Sequence, residues 1–186
     1  MKKITLGLLS IFAASSLFAG TYSVDTSHST AGFSVKHMMV TNVHGKFTSY
    51  DAKVEFDDAT KTFKKLVANI DTNSIDTGIE KRDNHLRSDD FFAVEKFPKM
   101  IFEMTSYKAD GDDGKMTGNL TIRGITKPVV LEVEDIAILG DKVGFSLEGK
   151  INRQDFDLKW NKAIELGGVA VSDEVKIKVD IEAKKQ

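Results

Sequence analysis

The chain has 186 residues, no cysteine, and 26 basic against 28 acidic residues, which excludes a disulfide framework, thiol catalysis and lipid attachment through an N-terminal cysteine. The slight acidic excess leaves no electrostatic footprint for nucleic acid and no basic stripe to hold the protein on an anionic membrane. Whatever fold forms must be held by its core alone.

The first segment, MKKITLGLLSIFAASSLFA, puts Lys2 and Lys3 ahead of an apolar run from Ile4 to Ala14 and ends in small residues. That order of basic, apolar and small regions predicts a secretory leader. The run is shorter than the roughly 20 residues a spanning helix needs, so a cleaved leader rather than an anchor is expected. Cleavage after Ala19 would start the mature chain at Gly20, although Leu17 is bulkier than the residue usual at that distance from a cut. Without Lys2 and Lys3 the chain carries 24 basic and 28 acidic residues, a net charge of −4. The expected location is a Gram-negative periplasm, and residues 20–186 are expected to form one domain.

Apolar and polar residues then alternate through most of the chain, the period of strands with one buried face. In chain order the pattern covers Phe33–His37, Tyr50–Phe56, Leu66–Asp71, Met100–Tyr107, Lys115–Arg123, Val129–Leu139, Val143–Ile151 and Val175–Glu182. In the last of these Val175, Ile177, Val179 and Ile181 share one face and Lys176, Lys178, Asp180 and Glu182 the other. Short polar turns at Asp57-Asp58, Asp110–Gly114 and Gly140-Asp141 predict hairpins between sequence neighbours. Eight antiparallel strands in up-and-down order close on themselves, because closure removes exposed edges. The predicted fold is all-β, an eight-stranded antiparallel barrel.

One segment breaks the alternation, Thr77–Pro98. Thr77 and Glu80 have capping-box spacing, which predicts a short helix from Gly78 or Ile79 towards Leu86 with Ile79 and Leu86 on one face. A second helical turn from Ser88 or Asp89 would carry Phe91, Phe92 and Phe97 up to Pro98. This helical insertion is expected to lay its aromatics over one side or mouth of the sheet.

The candidates for chemistry are sparse. His28, His37, His44 and His85 lack the close spacings of zinc sites, so no metal is expected. No serine stands in a nucleophile turn. The pairs Asp57-Asp58, Asp89-Asp90 and Asp112-Asp113 fall in turn or cap contexts, where Asp bonds its own backbone. Within EKRDNHLRSDDFF, however, Arg82, Asp83, His85 and Arg87 crowd beside Leu86, Phe91 and Phe92. Polar groups against an apolar surface suit the head of an amphipathic ligand; the alternative is a set of ion pairs and caps fixing the insertion to the sheet. The same two readings apply to Arg153 and Asp155. Gly118, Gly144 and Gly149 interrupt good strands, marking either a bend or a close approach to the backbone.

Four ordered stretches carry a resemblance to a known family. They are Thr21–Phe47, with Asp25, His28-Ser29, Phe33, His37 and Gly45-Lys46-Phe47; Ser74–Phe102, with Thr77-Gly78, Arg82-Asp83, His85-Leu86, Phe91-Phe92 and Pro98; LTIRGITKPV; and INRQDF followed by DEVKIKVDIEA. In these the chain resembles the polyisoprenoid-binding YceI-like family along nearly its whole mature length. Asp157 departs from the pattern, standing where the family tends to have Gly. The resemblance implies a lipocalin-like barrel, often dimeric, periplasmic or secreted, that holds a long-chain amphipathic molecule such as a polyprenyl compound; it supplies no catalytic residues and no cofactor.

On that reading Phe33, Val35, Phe47, Leu86, Phe91 and Phe92 are expected to contact a lipid tail, together with Phe97, Phe102, Leu120, Ile122, Phe145 and Trp160. Arg82, Asp83, His85 and Arg153 are the head-group candidates. Burying each methylene contributes roughly 0.8 kcal/mol, so tail length should dominate affinity and fatty amides or quinone-like lipids remain candidate ligands. Two alternatives stand beside the carrier: an enzyme acting on a small lipid with His37, His85 or Asp83 as acid or base, and a secreted interaction module presenting the outer barrel face.

Overall fold

A computed structural model describes residues 19–163 and 170–186; all of the predicted leader except Ala19 lies outside them. The described strands are β1 (Gly20–Val24), β2 (Thr30–His37), β3 (Thr41–Phe47), β4 (Tyr50–Asp57), β5 (Thr62–Asp71), β6 (Ile75–Asp76), β7 (Lys99–Asp110), β8 (Asp113–Ile122), β9 (Ile125–Leu139), β10 (Lys142–Asn152) and β11 (Val171–Lys185). One helix, α1 (Glu80–Arg87), lies between β6 and β7.

Eight strands close an antiparallel barrel in the order β1-β4-β5-β7-β8-β9-β10-β11, with β11 returning to β1. All eight expected strands exist, but they are not the eight of the ring. β2 was expected in it and lies outside, and β1, too short to stand out in the pattern, closes it. The strict up-and-down order fails for the same reason. β11 has 15 residues, and its free edge takes β2 along Val171–Asp180 and β1 along Ala183–Lys185. The chain bends between the two at residues 25–29, where the Asp25 amide donates to the Glu182 carbonyl at 2.8 Å. β3 pairs with β2, and β6 with β3, beyond the ring.

Elsewhere sequence neighbours pair as expected, because the turns demand it. Gly111 (φ 66°), Gly140 (φ 61°) and the Arg123-Gly124 pair (φ 51° and 74°) sit at two-residue connections, where positive φ matches the twist of the flanking strands. At Asp57 the side chain accepts from the Ala59 and Thr60 amides at 3.0 and 3.3 Å, a local turn role.

Three bulges shape one end of the barrel. Lys64, Thr105 and the Asp135-Ile136 pair each add a residue against the partner strand, and Asp135 takes a left-handed φ of 58° to do so. Each extra residue resets the phase of the alternation. Phe63 and Leu66, Met104 and Tyr107, and Val133 and Ile136 therefore all join the core although each pair is three apart. Bulges also raise local twist, which tightens closure. Inside this tight end the rings of Phe56, Phe63, Tyr107 and Phe145 meet at centroid distances of 4.8–5.0 Å around Phe63. Tyr22, Val54, Met116, Val133, Val143 and Ala183 are fully buried around them, and the Tyr22 hydroxyl donates to Asp58 at the rim.

The insertion covers the opposite end, with two departures from expectation. No capping box forms: Ile79 is the N-cap without a side-chain bond, because the Thr77 hydroxyl is engaged by Asp83 and Arg82 instead. Ile79 is 53 % exposed and shares no buried face with Leu86. Residues 88–96 form successive turns rather than a second helix, and Ala93 at φ 48° interrupts any helical path. Arg87 bonds the Asn73 and Ile75 carbonyls at 2.8 Å, and Thr72 holds the Phe97 carbonyl at 2.8 Å, so both ends of the insertion are strapped to the barrel.

Candidate functional site

Between the insertion and the aromatic plug the barrel is hollow. The cavity is about 220 Å³, and its wall is almost wholly hydrocarbon. Small residues at inward positions leave the space: Ala31 on β2, Ala52 on β4 and Ala68 on β5. Val175, Ile177, Val179 and Ile181 line it from β11, and Ile70, Val129, Leu131 and Leu147 from the other strands. At Gly118 a Cβ would lie 2.4 Å from the Phe102 ring, so this glycine exists to let that aromatic lie flat across β8. Gly144 has no such neighbour and marks the irregular register before Ser146.

Of the expected tail contacts, the structure brings Phe33, Val35, Phe47, Leu86, Phe91, Phe92, Phe102, Leu120, Ile122 and Phe145 to this wall. Phe47 is edge-on to Phe92 at 5.8 Å and tilted against Phe33 at 5.7 Å, which joins the β2–β3 hairpin to the insertion. Two residues are placed elsewhere. Phe97 packs under the Arg123 guanidinium, 5.8 Å from the ring centroid, because Pro98 turns the chain towards β7. Trp160 lies outside the cavity, edge-on to His85 at 4.9 Å and tilted against Phe91 at 5.3 Å.

The head-group candidates do not converge on the cavity either. Asp83, 6 % exposed, accepts from the Thr77 amide at 3.0 Å and its hydroxyl at 2.5 Å. Arg82 donates from Nε to that hydroxyl and from Nη2 to the Thr77 carbonyl, at 2.7 and 2.8 Å. The pair is a clamp on Thr77. His85 bonds Asp90 at 2.8 Å and lies edge-on to Phe91 and Trp160. Arg153 does reach the wall and is 3 % exposed, yet its donors are committed. Its nitrogens bond the carbonyls of Ser172, Leu158, Trp160 and Val171 and the Asp173 carboxylate. Burial pulls this guanidinium down from its ordinary pKa, against the opposing pull of Asp173. It is a bolt between β11 and the loop after β10. Asp157 in that loop is left-handed at φ 61°, the conformation that a glycine supplies without strain.

Of the three acid–base candidates, His37 is exposed at the end of β2, Asp83 is committed to Thr77 and His85 to Asp90. Among the described residues one cluster has metal-ligand types, Asp25, His28 and Glu182. Its members are already occupied: His28 Nδ1 is 2.9 Å from Asp25 and Lys142 Nζ is 2.6 Å from Glu182.

One polar group in the cavity was not singled out in the sequence. Tyr50 stands on the inward face of β4 with Ala52 and Val54 and lines the wall. Its hydroxyl oxygen is buried and has no hydrogen-bond partner, alone in this among the side-chain polar atoms of the described residues. An unpaired buried hydroxyl costs about 1–3 kcal/mol. Burial pushes its pKa up, so it stays a donor. Its position in phase with Ala52 and Val54 was the available signal.

A closed eight-stranded barrel with one plugged end, an apolar hollow and a helical cover defines a lipocalin-like architecture. The YceI-like domain model matches residues 22–183, and the chain belongs to the YceI-like family. It is 37% identical over the full length of both chains to protein YceI of Escherichia coli O17:K52:H18, and 36% identical, also over full lengths, to that of Salmonella newport. Among solved structures, the Campylobacter jejuni YCEI protein matches at 42% identity and TM-score 0.72, over 81% of this chain and 90% of that one. Burkholderia cenocepacia BcnA matches at 27% identity and TM-score 0.76, over 86% and 98%. A polyisoprenoid binding domain from Saccharophagus degradans, implicated in plant cell wall breakdown, shares the fold at 16% identity and TM-score 0.65, over 91% and 99%.

Proposed function

We propose that the protein binds an isoprenoid or similar long-chain lipid in the barrel and carries it in the periplasm. The observation that carries this reading is the hydrocarbon-lined hollow of about 220 Å³, bounded by the plug at one end and the insertion at the other. A dry cavity of about 150 Å³ lined by aliphatic and aromatic groups accepts a six-carbon ring, so this one has room for about ten carbons. Each buried prenyl unit would contribute about 3–4 kcal/mol as an upper limit. The barrel of the same fold described as binding polyisoprenoids supports the choice of ligand class. The leader read in residues 1–19 supports export, and no arrangement of His37, Asp83 and His85 favours catalysis.

Organic extraction of purified mature protein followed by mass spectrometry is the direct test, with a prenyl lipid expected in the extract. Titration with prenyl alcohols of increasing length should show affinity rising up to about ten carbons and flattening beyond. An empty extract together with no uptake of any offered prenyl alcohol defeats the reading. Cell fractionation tests the location.

A further inference from the structure

We infer that the Tyr50 hydroxyl is the polar recognition point inside the cavity, donating a hydrogen bond to a neutral oxygen of the cargo, so that the site selects oxygen-bearing prenyl lipids over plain hydrocarbons. The inference rests on the lipid-binding reading above. Three observations lead to it.

First, the hydroxyl is buried without a partner, on a residue of a wall that apart from it and Arg153 is almost wholly hydrocarbon, and buried polar groups are nearly always paired in the functional state. Second, Tyr50 is at the cap end. The link before it is pinned to the insertion side by Thr48 and Ser49, whose amides donate to the Ser74 carbonyl and hydroxyl at 3.1 and 3.0 Å. From Tyr50 to Val54, next to the plug, is four residues of strand, roughly 13 Å. An oxygen held at Tyr50 therefore leaves the tail running down the hollow towards Phe145. Third, the guanidinium of Arg153, the cation on this wall, has its donors taken by carbonyls and Asp173. A phosphate at the same depth would be buried without a counter-ion, which is far costlier than burying an alcohol or a carbonyl.

The test compares wild type and Tyr50→Phe with three probes: geraniol, the hydrocarbon that lacks its hydroxyl, and geranyl monophosphate. Geraniol should bind Tyr50→Phe roughly three- to tenfold more weakly than wild type, the hydrocarbon equally well or slightly better. Geranyl monophosphate should bind both proteins more weakly than geraniol. The variant should melt at or above wild type, because it loses an unpaired group. Should it fail to fold, wild type labelled with 13C at the tyrosine Cζ serves instead. It has three tyrosines, and geraniol but not the hydrocarbon should shift one signal. If both ten-carbon neutral probes bind and the substitution leaves their affinity ratio unchanged, the hydroxyl has no recognition role while the lipid-binding reading stands. Preferential binding of the phosphate, insensitive to Tyr50, overturns the inference too. If no probe binds, the underlying reading falls with it.

Discussion

The two ends of the barrel are built from the same strands, yet one is solid and the other hollow. On β4 the inward series runs from Ala52 at the hollow level to Phe56 at the plug, and on β5 from Ala68 to Phe63. An eight-stranded barrel has an interior that side chains can just fill. Replacing an aromatic by alanine at two or three inward positions is therefore enough to turn packed core into vacant volume. The bulges at Lys64, Thr105 and Asp135-Ile136 act in the same direction, crowding additional inward residues into the plug end. Hollowness here is a property of residue size and phase, not of topology.

The largest expected effect separates the two ends directly. Phe63→Ala removes the ring that Phe56, Tyr107 and Phe145 all touch, and should cost about 3–5 kcal/mol in urea unfolding. Phe92→Ala, whose ring already borders vacant space, should cost less than half of that. Equal losses would mean that the plug and the hollow do not differ in packing.

Arg153 comes next. A lysine there has three donors for contacts that a guanidinium makes with five N–H groups, leaving buried carbonyls unpaired. Arg153→Lys should lose about 2–3 kcal/mol of stability and leave lipid affinity unchanged once the protein is folded. A selective loss of lipid binding with stability intact would restore Arg153 as a head-group contact.

Filling experiments give a smaller and opposite pair of responses. Ala68→Trp places a ring in the hollow and should abolish lipid uptake with little loss of stability. Val133→Phe at the plug overpacks and should cost about 1–3 kcal/mol. Melting curves and lipid titrations on both variants read the difference.

The alternation made the strands legible, because a half-buried antiparallel strand cannot hide its period. Val175, Ile177, Val179 and Ile181 reach the wall as their spacing requires. The bulges were not legible: Phe63 and Leu66 are out of phase in sequence, and only the extra residue Lys64, visible in the register, reconciles them. Nor was ring membership, since the choice of β1 over β2 depends on how a 15-residue β11 divides its edge. The Arg82-Asp83 pair was visible as a polar cluster, but two readings fitted it until Thr77 was seen between them. Tyr50 was hidden for the opposite reason, since a tyrosine at the start of a strand carries no mark of its missing partner.

The smallest predicted effect lies at the bend where β11 passes from β2 to β1. Asp25 is held well below the ordinary carboxylate range, chiefly by the Ser27 hydroxyl and then by His28. Asp25 in turn pushes His28 above its ordinary 6.5, by hydrogen bond first and charge second, with Glu182 adding to it. A raised folded-state pKa means that the His28 contribution is complete below about pH 6.5 and disappears as pH rises through the elevated value. A lowered one means that the Asp25 contribution is complete above its ordinary value of 3.8 and disappears as pH falls through the depressed one. The gap in Tm between wild type and His28→Asn should therefore be widest near pH 5 and shrink by pH 9, and 0.5 M salt should narrow it throughout, since His28 is exposed and Asp25 only half-buried, within reach of screening ions. A gap that stays flat across this range would mean that the Asp25 amide and the Glu182 carbonyl hold the bend without help from the imidazole.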